Sequence, residues 1–166
     1  PFYSLLNNVP AGGFATLKDG SFYALPTLYN DFKTYGVEIE SNIRPIKYFS
    51  LRAVATLQRS KITNGTFWIT NGAGMEDDQI GDFSGNETSA TPRLFFNITP
   101  SLNLDKFYTF LTWNYMGKRQ ANNRNTFKLP SFSLFDFGAG YSFTDNISAT
   151  FNINNLFNVY AVMSWL

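Results

Sequence analysis

The side chains able to do chemistry are few. Histidine and cysteine are both missing from the 166 residues, so Ser–His and Cys–His nucleophile pairs, thiolate–zinc sites and disulfide scaffolds are excluded together. Carboxylates and cations remain. Glu76, Asp77, Asp78, Asp82 and Glu87 crowd into GMEDDQIGDFSGNE, residues 74–87. Hard oxygen ligands so closely spaced suit Ca²⁺, but the spacing fits no EF-hand loop and a solvated loop accounts for it, so no metal site is assigned. GKRQANNR, residues 117–124, reads either as a contact for an anionic ligand or as a solvated basic loop. Glu38 and Glu40 form a carboxylate pair on one strand face. General acid–base catalysis needs a cleft and separated pKa values, and nothing near them supplies either. No catalytic residue and no cofactor are expected. Phe67 and Trp68, inside a long polar segment, are the candidates for stacking on a ligand ring.

The background composition says what kind of scaffold would hold these groups. Net charge is +1, and no nucleic-acid partner is expected. Aromatic residues make up 18% of the chain and charged residues 15%, against roughly 25% charged in ordinary soluble domains. Mean hydropathy nevertheless lies slightly below zero, and no apolar run approaches the roughly 20 residues of a membrane helix. A transmembrane β-barrel has this profile, because only alternate residues of each strand meet lipid. A soluble β-sandwich with an aromatic core has it too.

Six segments alternate polar and apolar residues with the period of a strand: residues 34–44, 49–58, 93–99, 107–115, 135–143 and 147–154. Tyr35, Val37, Ile39 and Ile43 fall on one face of the first, with Glu38, Glu40, Asn42 and Arg44 opposite. In the second, Leu51, Ala53, Ala55 and Leu57 oppose Ser50, Arg52, Thr56 and Gln58. The fifth sets Phe135, Phe137, Ala139 and Tyr141 against Asp136, Gly138 and Gly140. In a barrel the polar faces would line a hydrated lumen, so Glu38, Glu40, Arg52, Arg93 and Asp136 are its candidates. Connections alternate short (45–48, 100–106, 144–146) and long (60–92, 117–130). Long loops are uncommon in compact soluble domains, whereas outer-membrane barrels combine short periplasmic turns with long extracellular loops. Residues 1–32, with NNVPAGG, KDG and LPTLYND, read as a further outer loop, and 33–160 as the strands.

Five motifs, in order, resemble the C-terminal part of the barrel of TonB-dependent outer-membrane receptors: YGVEIE (Tyr35 to Glu40), the Thr91-Pro92 pair, YMGKR (Tyr115 to Arg119), LPSFSLFDFGAGYSF (Leu129 to Phe143) and NNLFN (Asn154 to Asn158). The resemblance covers about 33–160. It implies an all-β fold: about six antiparallel strands of a barrel of roughly twenty-two, with Asn155, Leu156, Phe157 and Asn158 closing the penultimate strand and 161–166 starting the last outer loop. The family's plug domain, its TonB-contacting segment (the TonB box) and its final strand have no counterpart in the chain, so the sequence reads as a segment of a larger receptor. The function implied is energised uptake of a scarce nutrient, ferric siderophore ahead of cobalamin, haem or glycan, and not an enzyme activity. The partners implied are the receptor's own plug, the TonB complex, and outer-membrane lipid and lipopolysaccharide, with a surface lipoprotein as a further candidate. A passive outer-membrane channel and a soluble sandwich binding module are the alternatives.

Overall fold

The computed structural model describes residues 1–163; the expected start of a last outer loop at 161–166 lies partly outside the described residues. Eleven strands occur in chain order: β1 (Phe2–Thr16), β2 (Phe22–Ile46), β3 (Phe49–Asn64), β4 (Thr66–Ile69), β5 (Gln79–Asp82), β6 (Leu94–Leu104), β7 (Phe107–Met116), β8 (Arg119–Gln120), β9 (Lys128–Leu129), β10 (Phe132–Ser142) and β11 (Ser148–Ile153). A 3-10 turn at Met75–Asp77 is the one helical element among the described residues. Seven strands form one antiparallel sheet in the order β1-β2-β3-β6-β7-β10-β11. β4 pairs with β5, and β8 with β9, as separate hairpins.

The short connections all lie at one end of the sheet. Lys47 and Tyr48 join β2 to β3, Asp105 and Lys106 join β6 to β7, and residues 143–147 join β10 to β11. The long connections, and the tip of the β1–β2 hairpin, lie at the other. The alternation read from the sequence holds across the strand partners. Glu40, Val54, Asn97, Asn114 and Leu134 follow one another across five strands on one face. Ile39, Ala55, Phe96 and Tyr115 do so on the other. The second face is apolar and open, with Ile39 62%, Leu57 60% and Phe151 57% exposed. Ala15, Ile62, Pro92 and Leu129 are the buried apolar side chains among the described residues. A sandwich would bury one face of each sheet under the other; here no second layer covers the apolar face of the seven-stranded sheet.

Residues 1–32 are not a loop. They form β1 and the outer half of β2, paired from Phe2↔Gly36 to Thr16↔Phe22. Of the turn-forming residues that suggested a loop, KDG makes the β1–β2 hairpin turn and those of NNVPAGG sit at irregularities in the ladder. Register shifts fall between Leu6 and Val9, spanning Asn7 and Asn8, and between Ala11 and Gly13. Asn8 takes a positive φ of 55° and its N–H donates to Asp31 Oδ1 at 2.8 Å. A β-bulge absorbs such residues without ending the strand. The connection between β6 and β7 is also tighter than expected, since β6 continues through Pro100 to Leu104.

Gly138 and Gly140 are buried on the polar face. A Cβ at Gly138 would lie 2.3 Å from the Phe110 ring, and one at Gly140 2.2 Å from the Tyr108 ring. Each glycine therefore seats the aromatic side chain of its cross-strand partner. Gly138→Val is expected to unseat Phe110 and cost about 1–3 kcal/mol, the usual range for overpacking, seen as a lower thermal midpoint of the parent protein in detergent. Ala139→Val, on the opposite face, should cost much less; equal losses would contradict the packing role.

Candidate functional site

The sheet presents two regions with functional potential: its polar face and the cluster of connections at the long-loop end. On the polar face, Glu40 and Arg52 come together, and Glu38 lies two residues further along the same face of β2. Arg52 Nη2 lies 3.9 Å from Glu40 Oε1, with both side chains about two-thirds exposed, so the pair contributes little energy and leaves both charges available to whatever lies inside the curve. Asp136 stands apart from them. Its Oδ2 accepts from Asn114 Nδ2 at 3.3 Å, and Asn114 Oδ1 in turn accepts from Asn97 Nδ2 at 2.6 Å. Thr99 and Thr112 hydroxyls meet at 3.1 Å alongside. The other oxygen of Asp136 accepts the Asn155 backbone N–H at 2.8 Å.

That last bond anchors the NLFN stretch. Asn155 and Asn158 adopt positive φ of 52° and 51°, a conformation that asparagine tolerates better than most residues. The Asn155 side chain closes the turn on Val159, donating to its carbonyl at 3.0 Å and accepting its N–H at 2.9 Å. Leu156 N–H donates to Phe135 O at 2.7 Å. The Phe157 ring packs edge-on against Phe135 at 5.2 Å. Chain reversal, hydrogen bonding and aromatic packing thus all meet at the end of β11. The sequence marks the motif; it does not reveal that Asp136 holds it.

At the long-loop end, where β11 also finishes, three outer segments are hydrogen-bonded to one another. The β4–β5 hairpin lies against the β1–β2 hairpin: Trp68 Nε1 donates to Pro26 O at 2.8 Å, the Thr66 N–H to the buried Asn30 Oδ1 at 2.7 Å, and Lys18 N–H to Gly72 O at 3.1 Å. The Tyr23 hydroxyl donates to the Asp78 carboxylate. Phe67 stacks on Phe83 at 5.5 Å. Phe67 and Trp68 are therefore half-buried and already engaged within the chain, with their remaining faces lining a shallow groove beside Ala11, Gly12 and Leu25. The acidic stretch forms no group of three metal-ligating side chains among the described residues. Asp78 is spent on Tyr23 and on the Asn71 N–H, and Asp82 on Ser84.

The 117–130 connection is not a solvated basic loop. Arg119 is 3% exposed; its guanidinium donates to the carbonyls of Pro130, Val162 and Met163 and lies over the Phe132 ring at 5.5 Å. Burial lowers its pKa. Arg124 covers the Phe83 ring at 5.8 Å. The junction between this connection and the preceding one centres on Glu87. Its carboxylate accepts from Arg93 Nε at 2.7 Å and from Gln120 Nε2 at 3.0 Å, while Asn125 grips its backbone on both sides at 2.9 and 2.8 Å. Arg93 is thus committed to Glu87 at the outer end. Burial alone would push the Glu87 carboxyl up; the hydrogen bonds from Arg93 and Gln120, with the charges of Arg93 and Lys128, outweigh it and hold the group below the ordinary carboxylate range. The sequence places Glu87 in an acidic stretch but does not reveal its hold on the 117–130 connection, because Gln120 and Asn125 lie more than thirty residues away.

Residues 2–156 match the family model described as TonB dependent receptor-like, beta-barrel. The fold is similar to that of the siderophore receptor PiuA from Acinetobacter baumannii, with a TM-score of 0.67 and 19% identity over 95% of this chain and 22% of that one. It is also similar to the ferric-catecholate import receptor Fiu from E. coli K12, with a TM-score of 0.64 and 18% identity over 98% of this chain and 21% of that one. The chain thus spans about a fifth of the length of these receptors. No curated protein matches it in sequence.

Because the folded-state pKa of Glu87 is depressed, its contribution is present above the unfolded value near 4.5 and is lost as pH falls below it. Protease protection of the 117–130 connection in the parent protein should hold at neutral pH and drop as the medium is acidified below the ordinary carboxylate range. Glu87→Gln should show reduced protection already at neutral pH and lose this pH step. An unchanged step in the variant would contradict the role given to Glu87.

Proposed function

The chain belongs to the TonB-dependent receptor β-barrel family, and we propose that it is part of the wall and outer rim of an outer-membrane transporter that takes up a scarce nutrient, a ferric siderophore ahead of cobalamin, haem or a glycan. The observation that carries this reading is the two-faced single-layer sheet. Its apolar face has the character of a lipid-exposed barrel surface, and its polar face that of a lumen wall. Among the described residues, β1 and β11 have no partner on their outer sides, and open edges are not tolerated in hydrocarbon. The arc is completed by further strands of a longer receptor, with the long-loop end extracellular.

In that frame, each region has a part in transport. Glu38, Glu40 and Arg52 face the lumen and meet the plug domain through exposed, weakly paired charges, which allows contacts to be made and broken without a large barrier. Asp136 serves the wall itself. The knitted outer segments form a stiff vestibule, and the groove beside Phe67 and Trp68 is the place for ligand contact. TonB, acting on the plug from the periplasmic side, supplies the energy. The substrate preference follows the siderophore receptors whose barrels this arc resembles in fold.

Uptake of a radiolabelled ferric catecholate siderophore by cells relying on the parent receptor tests the reading. Uptake should require TonB and should fall when Trp68→Ala opens the vestibule groove. Equal uptake with and without TonB would instead mark a passive channel. TonB-dependent uptake of cobalamin alone would overturn the substrate and keep the transporter.

A further inference from the structure

One row of the polar face turns apolar as it crosses the sheet. Glu38 and Thr56 are followed, partner by partner, by Phe95, Met116 and Phe132. In the next row Val54 and Leu134 flank Asn97 and Asn114. A cavity of about 320 Å³ opens over these two rows. Val54, Phe95, Met116, Phe132, Leu134 and Met163 make its apolar walls; Asn97 and Asn114 border it, as do Phe96 and Tyr115 of the opposite face. The two asparagines bond to each other and to Asp136, so the cavity itself is apolar in character. Apolar side chains gathered on a polar wall mark a place where something apolar sits. Arg119 stands at one end. Its guanidinium lies over the Phe132 ring and donates to the Met163 carbonyl, so it touches two of the lining residues. Its other partners are the carbonyls of Pro130 and Val162. All of these acceptors are neutral. Among the described residues the ion pairs are Arg52–Glu40 and Arg93–Glu87, and no carboxylate answers Arg119. A cation so deeply buried without a counter-ion is costly.

We propose that this cavity binds an amphipathic carboxylate: an alkyl chain fills the space between Phe95, Met116, Phe132 and Leu134, and the carboxylate replaces the Val162 and Met163 carbonyls on Arg119. This rests on the polar face being the inner one, as in the proposed function. The charge suits the ligand, because the planar fork of a guanidinium matches a carboxylate, and a charge-assisted bond is stronger than one to a neutral carbonyl. The walls suit it too. Thioether and branched aliphatic side chains adapt to a flexible chain rather than to a fixed ring. Val162 and Met163 are themselves exposed, so the segment after the β11 turn lifts away as the carboxylate takes their place. The site is separate from the groove beside Phe67 and Trp68, which lies against the β1–β2 hairpin.

The test is calorimetric binding of octanoate to the parent receptor in lipid nanodiscs, with empty nanodiscs as the blank. Octanoate should bind, and affinity should fall about fourfold for each methylene removed on the way to butanoate. Octanol, which lacks the charge, should bind about tenfold more weakly. Arg119→Gln should weaken octanoate about tenfold and bring it level with octanol, whereas Arg119→Lys should keep most of the affinity. Octanoate should also raise the mobility of a nitroxide at Val162, which a merely structural Arg119 would not produce. Heat-dependent gel mobility reports whether each variant is folded. If Arg119→Gln does not fold, Leu134→Gln, at a half-buried wall position, should weaken octanoate about tenfold. No binding above the blank, a flat chain-length series, equal affinity for octanol and octanoate, or tighter binding of benzoate than of octanoate would overturn the site. A nitroxide at Val54 reads the facing independently. Shielding from lipid there with no octanoate binding defeats this inference alone, whereas a lipid-exposed Val54 defeats the facing on which both readings stand.

Discussion

Every second side chain of this sheet must find an apolar environment that the chain itself does not provide. The other features follow from that constraint. Along each strand the backbone donors and acceptors are satisfied by neighbouring strands, so the ladder can enter hydrocarbon at no hydrogen-bonding cost. The alternating side chains then divide cleanly: Ile39, Leu57 and Phe151 on one face, and Glu40, Asn97, Asn114 and Asp136 on the other. With so few buried apolar side chains among the described residues, stability cannot come from a conventional core. It comes from the ladders, from aromatic contacts such as Trp113 stacked on Phe135 at 5.6 Å, and, in the proposed facing, from transfer of the apolar face into lipid.

The same constraint explains where order is added. Beyond the apolar band the chain is back in water, where an isolated hairpin is marginal. The outer segments solve this collectively. Trp68 ties the β4–β5 hairpin to β2, and Glu87 ties the connection after β3 to the one after β7. Arg119 reaches from that second connection to the chain beyond β11. At the end of β11, Asp136 and Phe135 reach across to hold the turn at Asn155 and Phe157. The outer connections and the sheet are thus joined by side-chain contacts at several points, which in the proposed function suits them to frame a plug domain.

What was legible in the sequence was what depends on nearest neighbours. The alternation of Tyr35 to Ile43 or of Phe135 to Tyr141 marks strand and face at once, and the alternation of short and long connections gives the antiparallel order. The motif from Asn155 to Asn158 announces its turn through residues that accept positive φ. β1 was illegible because Asn7, Asn8, Pro10, Gly12 and Gly13 look like turn formers, and only pairing with β2 shows that they sit in and beside bulges. The engagement of Arg119, Glu87 and Phe67 was illegible for a different reason: their partners are brought near by topology, and burial of a cation such as Arg119 leaves no local pattern.

The central claim is the direction in which the two faces point, and a nitroxide scan of β3 from Leu51 to Leu57 in the membrane-reconstituted parent receptor tests it most directly. The chain has no cysteine of its own to confuse labelling within this segment. The expected result is period-two alternation: positions 51, 53, 55 and 57 accessible to oxygen dissolved in lipid, and positions 52, 54 and 56 shielded from lipid. Uniform exposure to a water-soluble relaxation agent along the strand, or the opposite phase, would contradict the account.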